Sequence, residues 1–260
     1  MKLICPVCGS PLNRTGNTAV CMNHHSFDYA KQGYLNLLIK QSKAHGDNRE
    51  MVKARTDFLN TDSYGFLKDE LRKITEQNPA DVLMDLGCGE GYYTAAMKAR
   101  EKYGFDMSRE ALKHASKQDS STQYIVASMF HLPVENESCD ITVTCFAPFA
   151  SEEVQRILKP DGLFLFVSPG PDHLIELKKV LYDTPYQNVV KPLRTSLQKE
   201  QEYQIERAFH VNHEELMNLF EMTPYAHHTK QSDQMKMQSI QEMDLTAQFV
   251  IRIYRKTTVS

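Results

Sequence analysis

Short apolar runs recur along the middle of the chain and stop at polar or glycine-rich breaks. They fall at 82–86, 103–106, 123–127, 140–145 and 163–168. Apolar runs this short, bounded by turn signals, fit buried strands. Other stretches carry apolar residues at helical spacing. Met51, Ala54 and Phe58 share one face, and Phe66, Leu67, Leu71 and Ile74 share another. The pattern predicts helices over 50–59, 66–75, 109–116 and 152–158. Ser108 stands at the N-cap of the third, and Asn212 with Glu215 forms a capping box for a later one. Strands that alternate with helices define an α/β protein with a parallel, doubly wound sheet. The Lys-Pro-Asp-Gly stretch at 159–162 reads as a turn into the fifth strand. Residues 225–228 and 245–254 read as a closing antiparallel pair. Residues 183–210 are polar and irregular, long enough for an insertion that faces a target.

The first strand runs into a glycine cluster, Asp85-Leu86-Gly87-Cys88-Gly89-Glu90-Gly91. Glycine permits a sharp turn and close approach of a ligand to the backbone. The dinucleotide fingerprint is G-x-G-x-x-G, whereas this is D-x-G-x-G-x-G. That form resembles the first motif of Rossmann-like S-adenosylmethionine (SAM) methyltransferases. The second strand ends on Asp106, about 20 residues after the glycines, where a carboxylate can accept both ribose hydroxyls of a nucleoside. Its other reading is a plain helix-cap residue ahead of Ser108. The ribose role is the expectation. The fourth strand ends on Cys145-Phe146-Ala147-Pro148; the resemblance to methyltransferases, which often hold the acceptor at this strand end, implies that Phe146 could stack on an acceptor base.

Composition adds an asymmetry. The 260 residues carry a net charge of −3, but residues 1–55 hold a net +5 and the rest −8. A basic segment on an acidic body suggests that the N-terminal part meets a polyanion. No apolar run approaches membrane-spanning length, so no membrane partner and a cytoplasmic location are expected. Of the six cysteines, Cys88, Cys139 and Cys145 read as small buried residues. The others cluster. Cys5-Pro6-Val7-Cys8-Gly9 is a turn that presents two thiolates, and Cys21 follows with His24 and His25. Four ligands from two short turns satisfy tetrahedral zinc. Either histidine serves as the fourth ligand on spacing alone. A redox role would need a thioredoxin-like βαβ context, which is absent. Phe27, Tyr29 and Tyr34, interleaved with Lys31 and Lys40, read equally as a base-stacking surface and as the small core of this segment. Residues 41–49 read as a linker or lid.

With these residues in place, the whole chain resembles the bacterial 23S rRNA guanine-N1 methyltransferases, the RlmA family. The marks are Cys5-Pro6-Val7-Cys8, Cys21-x-x-x-His25, Phe27-Asp28-x-Ala30-Lys31-x-Gly33-Tyr34-x-Asn36-Leu37, Met51-x-x-Ala54-Arg55-x-x-Phe58-Leu59, the glycine cluster with Tyr92 and Tyr93, and Pro169-Gly170-Pro171-x-His173-Leu174. The resemblance implies that His25 is the fourth zinc ligand. It implies that Tyr64 and His173 hold the cofactor together with Gly89 and Glu90. It also implies a homodimer whose zinc modules and cleft engage a 23S rRNA hairpin. Ala127-Ser128 departs from many methyltransferases, which place an acid there for the adenine amine.

The domain plan that follows is a zinc-binding RNA-recognition module over 1–38, a linker and helices over 39–80, and a Rossmann-like methyltransferase domain over 81–260. Asp85, Gly87, Gly89, Glu90, Gly91 and Asp106, with Tyr64 and His173, form the expected SAM site. Cys5, Cys8, Cys21 and His25 form the structural zinc site. No residue declares itself as a general base. Two other readings compete: a small-molecule SAM methyltransferase, and a non-catalytic zinc RNA-binding protein on a methyltransferase fold.

Overall fold

The computed structural model describes residues 3–39, 48–223, 225–228 and 231–257. Lys40, Lys43 and most of the 41–49 linker lie outside the described residues.

The N-terminal segment folds as a three-stranded antiparallel sheet of β1 (Leu12–Thr15), β2 (Thr18–Cys21) and β3 (Ser26–Asp28). The short β4 (Leu35–Asn36) then leaves this sheet and pairs in parallel with a strand of the main body. Helices α1 (Arg49–Leu59) and α2 (Gly65–Gln77) follow. Asn48 caps α1 by accepting the Met51 N–H at 2.9 Å. Phe58, Leu67 and Leu71 are fully buried, and each contributes about 1.5–3 kcal/mol of transfer free energy.

The main body alternates strand and helix as the pattern predicts. It comprises β5 (Val82–Leu86), α3 (Tyr92–Ala96), β6 (Glu101–Asp106), α4 (Arg109–Gln118), β7 (Thr122–Val126), β8 (Cys139–Cys145), α5 (Ser151–Ile157), β9 (Leu158–Pro169) and α6 (Ile175–Leu181). The Ser108 hydroxyl accepts the Ala111 N–H, so the expected N-cap is present. The turn at 159–162 loops out of β9. Cys139 faces Leu158 and Ile141 faces Leu163, with Asp161 at φ 61°.

The C-terminal part corrects two expectations. Residues 225–228 are not a strand but the one-turn helix α8 (Tyr225–His228). The partner of the last strand, β11 (Glu242–Arg255), is instead β10 (Gln198–Asn212). The stretch expected to be irregular through 210 is irregular only over 182–197. Within β10, Tyr203, Ile205, Phe209 and Val211 alternate with polar residues, the period of a half-buried strand. The polar run Gln-Lys-Glu-Gln-Glu ahead of Tyr203 masks that alternation. Helix α7 (His213–Met222) carries the expected capping box, and α9 (Gln231–Gln238) completes the chain's elements. The 182–197 segment is pinned from beneath. Fully buried Lys178 donates to the Tyr186 carbonyl at 3.0 Å and to Asn188 Oδ1 at 2.7 Å. Arg252 donates to the Lys191 carbonyl at 3.1 Å.

One eight-stranded sheet results, in the order β10-β11-β9-β8-β5-β6-β7-β4, with β10, β11 and β9 antiparallel and the rest parallel. The chain reverses direction across the sheet between β5 and its two neighbours β8 and β6. Open α/β sheets bind ligands beyond the carboxyl ends of strands at such a point.

Candidate cofactor and metal sites

At the tip of β5 the backbone turns through Gly87, Gly89 and Gly91, at φ 80°, 54° and 78°. Two of these positions are sterically closed to any side chain. A Cβ on Gly91 would lie 2.3 Å from the Tyr124 hydroxyl, and one on Gly87 would lie 2.6 Å from the Ala147 methyl. Gly89 is different. Its missing Cβ faces only the Arg55 guanidinium, at 3.1 Å. The backbone there can be approached closely.

The acids around this turn have distinct environments. Asp85 is almost fully buried and accepts the Thr94 hydroxyl at 2.6 Å through Oδ2. Its Oδ1 is buried with no hydrogen-bond partner. Burial pushes the Asp85 carboxyl up to about 7. Glu90, also buried, receives Arg55 Nε from α1 at 2.5 Å. Asp106 binds the chain twice. Oδ2 accepts the Gly89 N–H at 2.9 Å, and Oδ1 accepts the Ser108 N–H at 2.7 Å.

Tyr64 and His173 lie 109 residues apart in sequence, yet their polar atoms approach to 3.4 Å. His173 Nδ1 accepts the Gln248 N–H at 3.2 Å. Burial, with the nearby Lys178 charge, lowers the imidazole to about 3. The ring is therefore neutral, and its proton sits on Nε2, directed at the Tyr64 oxygen. Tyr64 is wedged edge-on among Phe58, Phe209 and Phe249.

A cavity of about 860 Å³ opens at this edge. Tyr64, Asp85, Gly87, Gly89, Glu90, Asp106 and His173 all line it, so the structure gathers these expected residues in one place. Gly91 is not in its wall. It faces Tyr124 and opens α3. Sequence reasoning assigned no role to Arg55, Thr94, Met129 or Phe130. Arg55 was visible only as part of the run from Met51 to Leu59, because its partner Glu90 lies 35 residues away. Ala127 lines the cavity with no acid beside it in the sequence, as the departure at that position implies. Asp140 sits at the other end of β8, where it holds the Asp81 and Val82 N–H groups and Lys159. These acceptor groups suit a nucleoside with an amino-acid tail. A buried carboxylate oxygen without a partner is suited to a cation, and an open glycine lets a ligand approach the backbone.

The N-terminal turns bring Cys5, Cys8, Cys21 and His25 together, with all ligand atoms within 4.8 Å of one another. Cys8 Sγ to Cys21 Sγ is 3.7 Å, Cys5 Sγ to His25 Nδ1 is 3.6 Å, and Cys21 Sγ to His25 Nδ1 is 3.4 Å. A tetrahedron with Zn–S bonds of about 2.3 Å has edges of about 3.8 Å, so this donor set fits zinc. His24, at φ 62°, is turned out of the cluster. Hydrogen bonds from Ser10 and Asn23 pull the Cys8 thiol down to about 5, favouring the thiolate a metal requires. The cluster is tied to the main body by more than β4. The Ile4 N–H donates to the Pro133 carbonyl at 2.9 Å, and Gln123 donates to the Gly33 carbonyl at 3.3 Å.

Fold, glycine turn and acid-tipped second strand together define a Rossmann-like SAM-dependent methyltransferase, here joined to a zinc ribbon. Residues 84–166 match the methyltransferase-domain family, and residues 3–45 match the RlmA N-terminal zinc ribbon. A 23S rRNA (guanine(748)-N(1))-methyltransferase of Streptomyces fradiae is 34% identical over 188 residues, 69% of this chain and 67% of the relative. Relatives described as 23S rRNA (guanine-N(1)-)-methyltransferases occur in Micromonospora griseorubida and Bacillus subtilis. They are 32% and 31% identical, cover 67% and 70% of this chain, and are themselves covered to 68% and 69%. The chain belongs to the 23S rRNA (guanine-N1)-methyltransferase family.

Proposed function

We propose that the protein methylates N1 of a guanine in a hairpin loop of 23S rRNA, acting as a homodimer in the cytoplasm. The observation that carries this reading is the joining of the two modules. The zinc ribbon contributes β4 to the catalytic sheet, beside β7, so whatever it grips is held at a fixed place relative to the cavity. That arrangement suits a macromolecular substrate. A small-molecule methyltransferase gains nothing from it.

When bound, SAM would supply a sulfonium methyl group for guanine N1, whose proton would pass to water. The chain's part is binding and alignment. Asp106 is the ribose acceptor. Ionised Asp85 offsets the amino-acid ammonium. The neutral His173–Tyr64 pair closes the cavity wall without adding charge. Paired guanine has its N1 edge blocked, so the acceptor must be unpaired or turned out of the helix. In this plan, 1–38 forms the RNA-recognition module, 39–80 the connection and 81–260 the catalytic domain, with the 182–197 loop facing the target.

The test is transfer of label from methyl-labelled SAM by purified protein to unmodified 23S rRNA transcript, with a small-molecule fraction as comparator. Label in RNA supports the reading. Label confined to small molecules rejects it, and no transfer at all favours a non-catalytic RNA-binding protein.

A further inference from the structure

Strand β11 keeps hold of the chain that leaves β9 after their ladder has ended. The last paired residues are Phe249 and Pro169. Residues 170–174 then turn away, yet they keep returning to β11. The Gly170 N–H donates to the Gln248 carbonyl at 2.7 Å, His173 Nδ1 accepts the Gln248 N–H at 3.2 Å, and the Leu174 N–H donates to the Thr246 carbonyl at 2.9 Å. The turn closes on Leu174, which is fully buried and left-handed at φ 55°. A bulky residue holds that conformation only where its surroundings impose it.

The Gln248 side chain does what the ladder no longer can. It is buried. Its Oε1 accepts the Asp172 N–H at 3.0 Å, and its Nε2 donates to Glu206 Oε2 at 2.9 Å. Glu206 faces Gln248 across the β10–β11 ladder. An ionised carboxylate only accepts, so the amide must turn its NH2 end toward Glu206, which leaves the oxygen for Asp172. A Cβ at position 170 would lie 2.5 Å from that same oxygen, so glycine is needed there. Asn188 holds the carbonyl groups of the turn. Its Nδ2 donates to the Gly170 carbonyl at 2.8 Å and its backbone N–H to the Pro171 carbonyl at 2.9 Å. The turn so fixed carries His173 into the wall of the cavity.

We infer that Gln248 is a positioning residue for the cofactor site: oriented by Glu206, its side chain holds the Asp172 N–H and so sets where the His173 imidazole stands in the cavity wall. This rests on the reading of His173 as a cofactor-holding residue and adds the pair that places it. Gln248 is not in the cavity wall, so it acts on the cofactor through the turn. The pairing supplies discriminating variants. Gln248→Met keeps the side-chain length and removes both amide bonds. Gln248→Glu keeps an acceptor for Asp172 but sets a second carboxylate against Glu206. Combining it with Glu206→Gln restores a carboxylate–amide pair with the partners exchanged.

The experiment measures SAM affinity by titration calorimetry in wild type, in these variants and in His173→Ala, with melting temperatures alongside. Gln248→Met and Gln248→Glu should each weaken SAM about tenfold, the cost of one buried N–H left unsatisfied or misplaced. Glu206→Gln alone should stay within about threefold of wild type, because its amide oxygen still accepts, and the exchanged pair should recover to the same range. The exchanged pair decides the matter even where Gln248→Met folds poorly. Lowered melting temperatures with wild-type SAM affinity throughout would make Gln248 ordinary structure and overturn the inference. So would an exchanged pair as weak as Gln248→Glu. If His173→Ala is weakened while Gln248→Met binds SAM as wild type does, this inference alone falls. If His173→Ala itself binds as wild type does, the reading of His173 fails and takes this inference with it.

Discussion

The Asp106 carboxylate accepts the backbone N–H of Gly89 at 2.9 Å. The acid at the tip of the second strand and the central glycine of the first turn are therefore one unit. Removing the acid should loosen the turn as well as delete the proposed ribose acceptor. Asp106→Ala should weaken SAM binding at least tenfold, about 1.4 kcal/mol. Asp106→Asn keeps one oxygen acceptor and should fall between. Titration calorimetry reads both, and an unchanged affinity in the alanine variant would refute the placement.

Burial holds Asp85 at about 7 when folded, against about 3.9 unfolded. Between those values the native state binds more protons than the unfolded state, so this group makes stability fall as pH rises through the window. Asp85→Asn should remove that slope and melt a few degrees above wild type at pH 7.5. Its SAM affinity should be lower. Wild-type SAM affinity should rise from pH 5.5 to 7, as Asp85 ionises against the cofactor's ammonium, and the asparagine variant should show a flat profile. Parallel profiles would remove Asp85 from the cofactor site.

One zinc per chain is expected. Cys8→Ser should lose it and disorder the ribbon. Because Ile4, Gly33 and β4 bond to the main body, amide exchange should also quicken along β7 and around Pro133, while β5 and β8 stay protected. Protein purified without chelator and free of zinc would contradict the assignment.

The glycine turn and the zinc cysteines were legible because each is written within a few consecutive residues, whereas the choice of His25 over His24 came only from the family resemblance. The strands β5 to β9 were legible because buried parallel strands form nearly continuous apolar runs. What escaped is long-range or strained. Strand β10 hides its inward residues Tyr203, Ile205, Phe209 and Val211 behind a charged stretch. Residues 225–228 carry too few positions for any period to show. The Tyr64–His173 contact joins residues far apart in sequence; family resemblance named the two residues as cofactor-holding, and nothing in the sequence pointed to their contact. The left-handed backbone at Phe146, φ 57°, is imposed by neighbours from β9 and the glycine turn, and no local pattern announces it.

From the charge asymmetry we propose that the N-terminal segment docks the RNA. Charge reversal at Lys31, Lys40 and Lys43 should weaken rRNA binding and shallow its salt dependence by roughly one unit of slope for each phosphate no longer neutralised. SAM affinity should hold. A triple variant with wild-type RNA affinity and salt slope would place docking elsewhere.

The most direct test maps the product. An N1-methylated guanine cannot form a Watson–Crick pair, so reverse transcriptase stops beside it. Unmodified 23S rRNA transcript, incubated with the purified protein and SAM, should gain one new stop at a guanine in a hairpin loop. Its nucleoside digest should contain 1-methylguanosine. A methylated nucleoside of another kind, or a transcript read through without a new stop, would contradict the account.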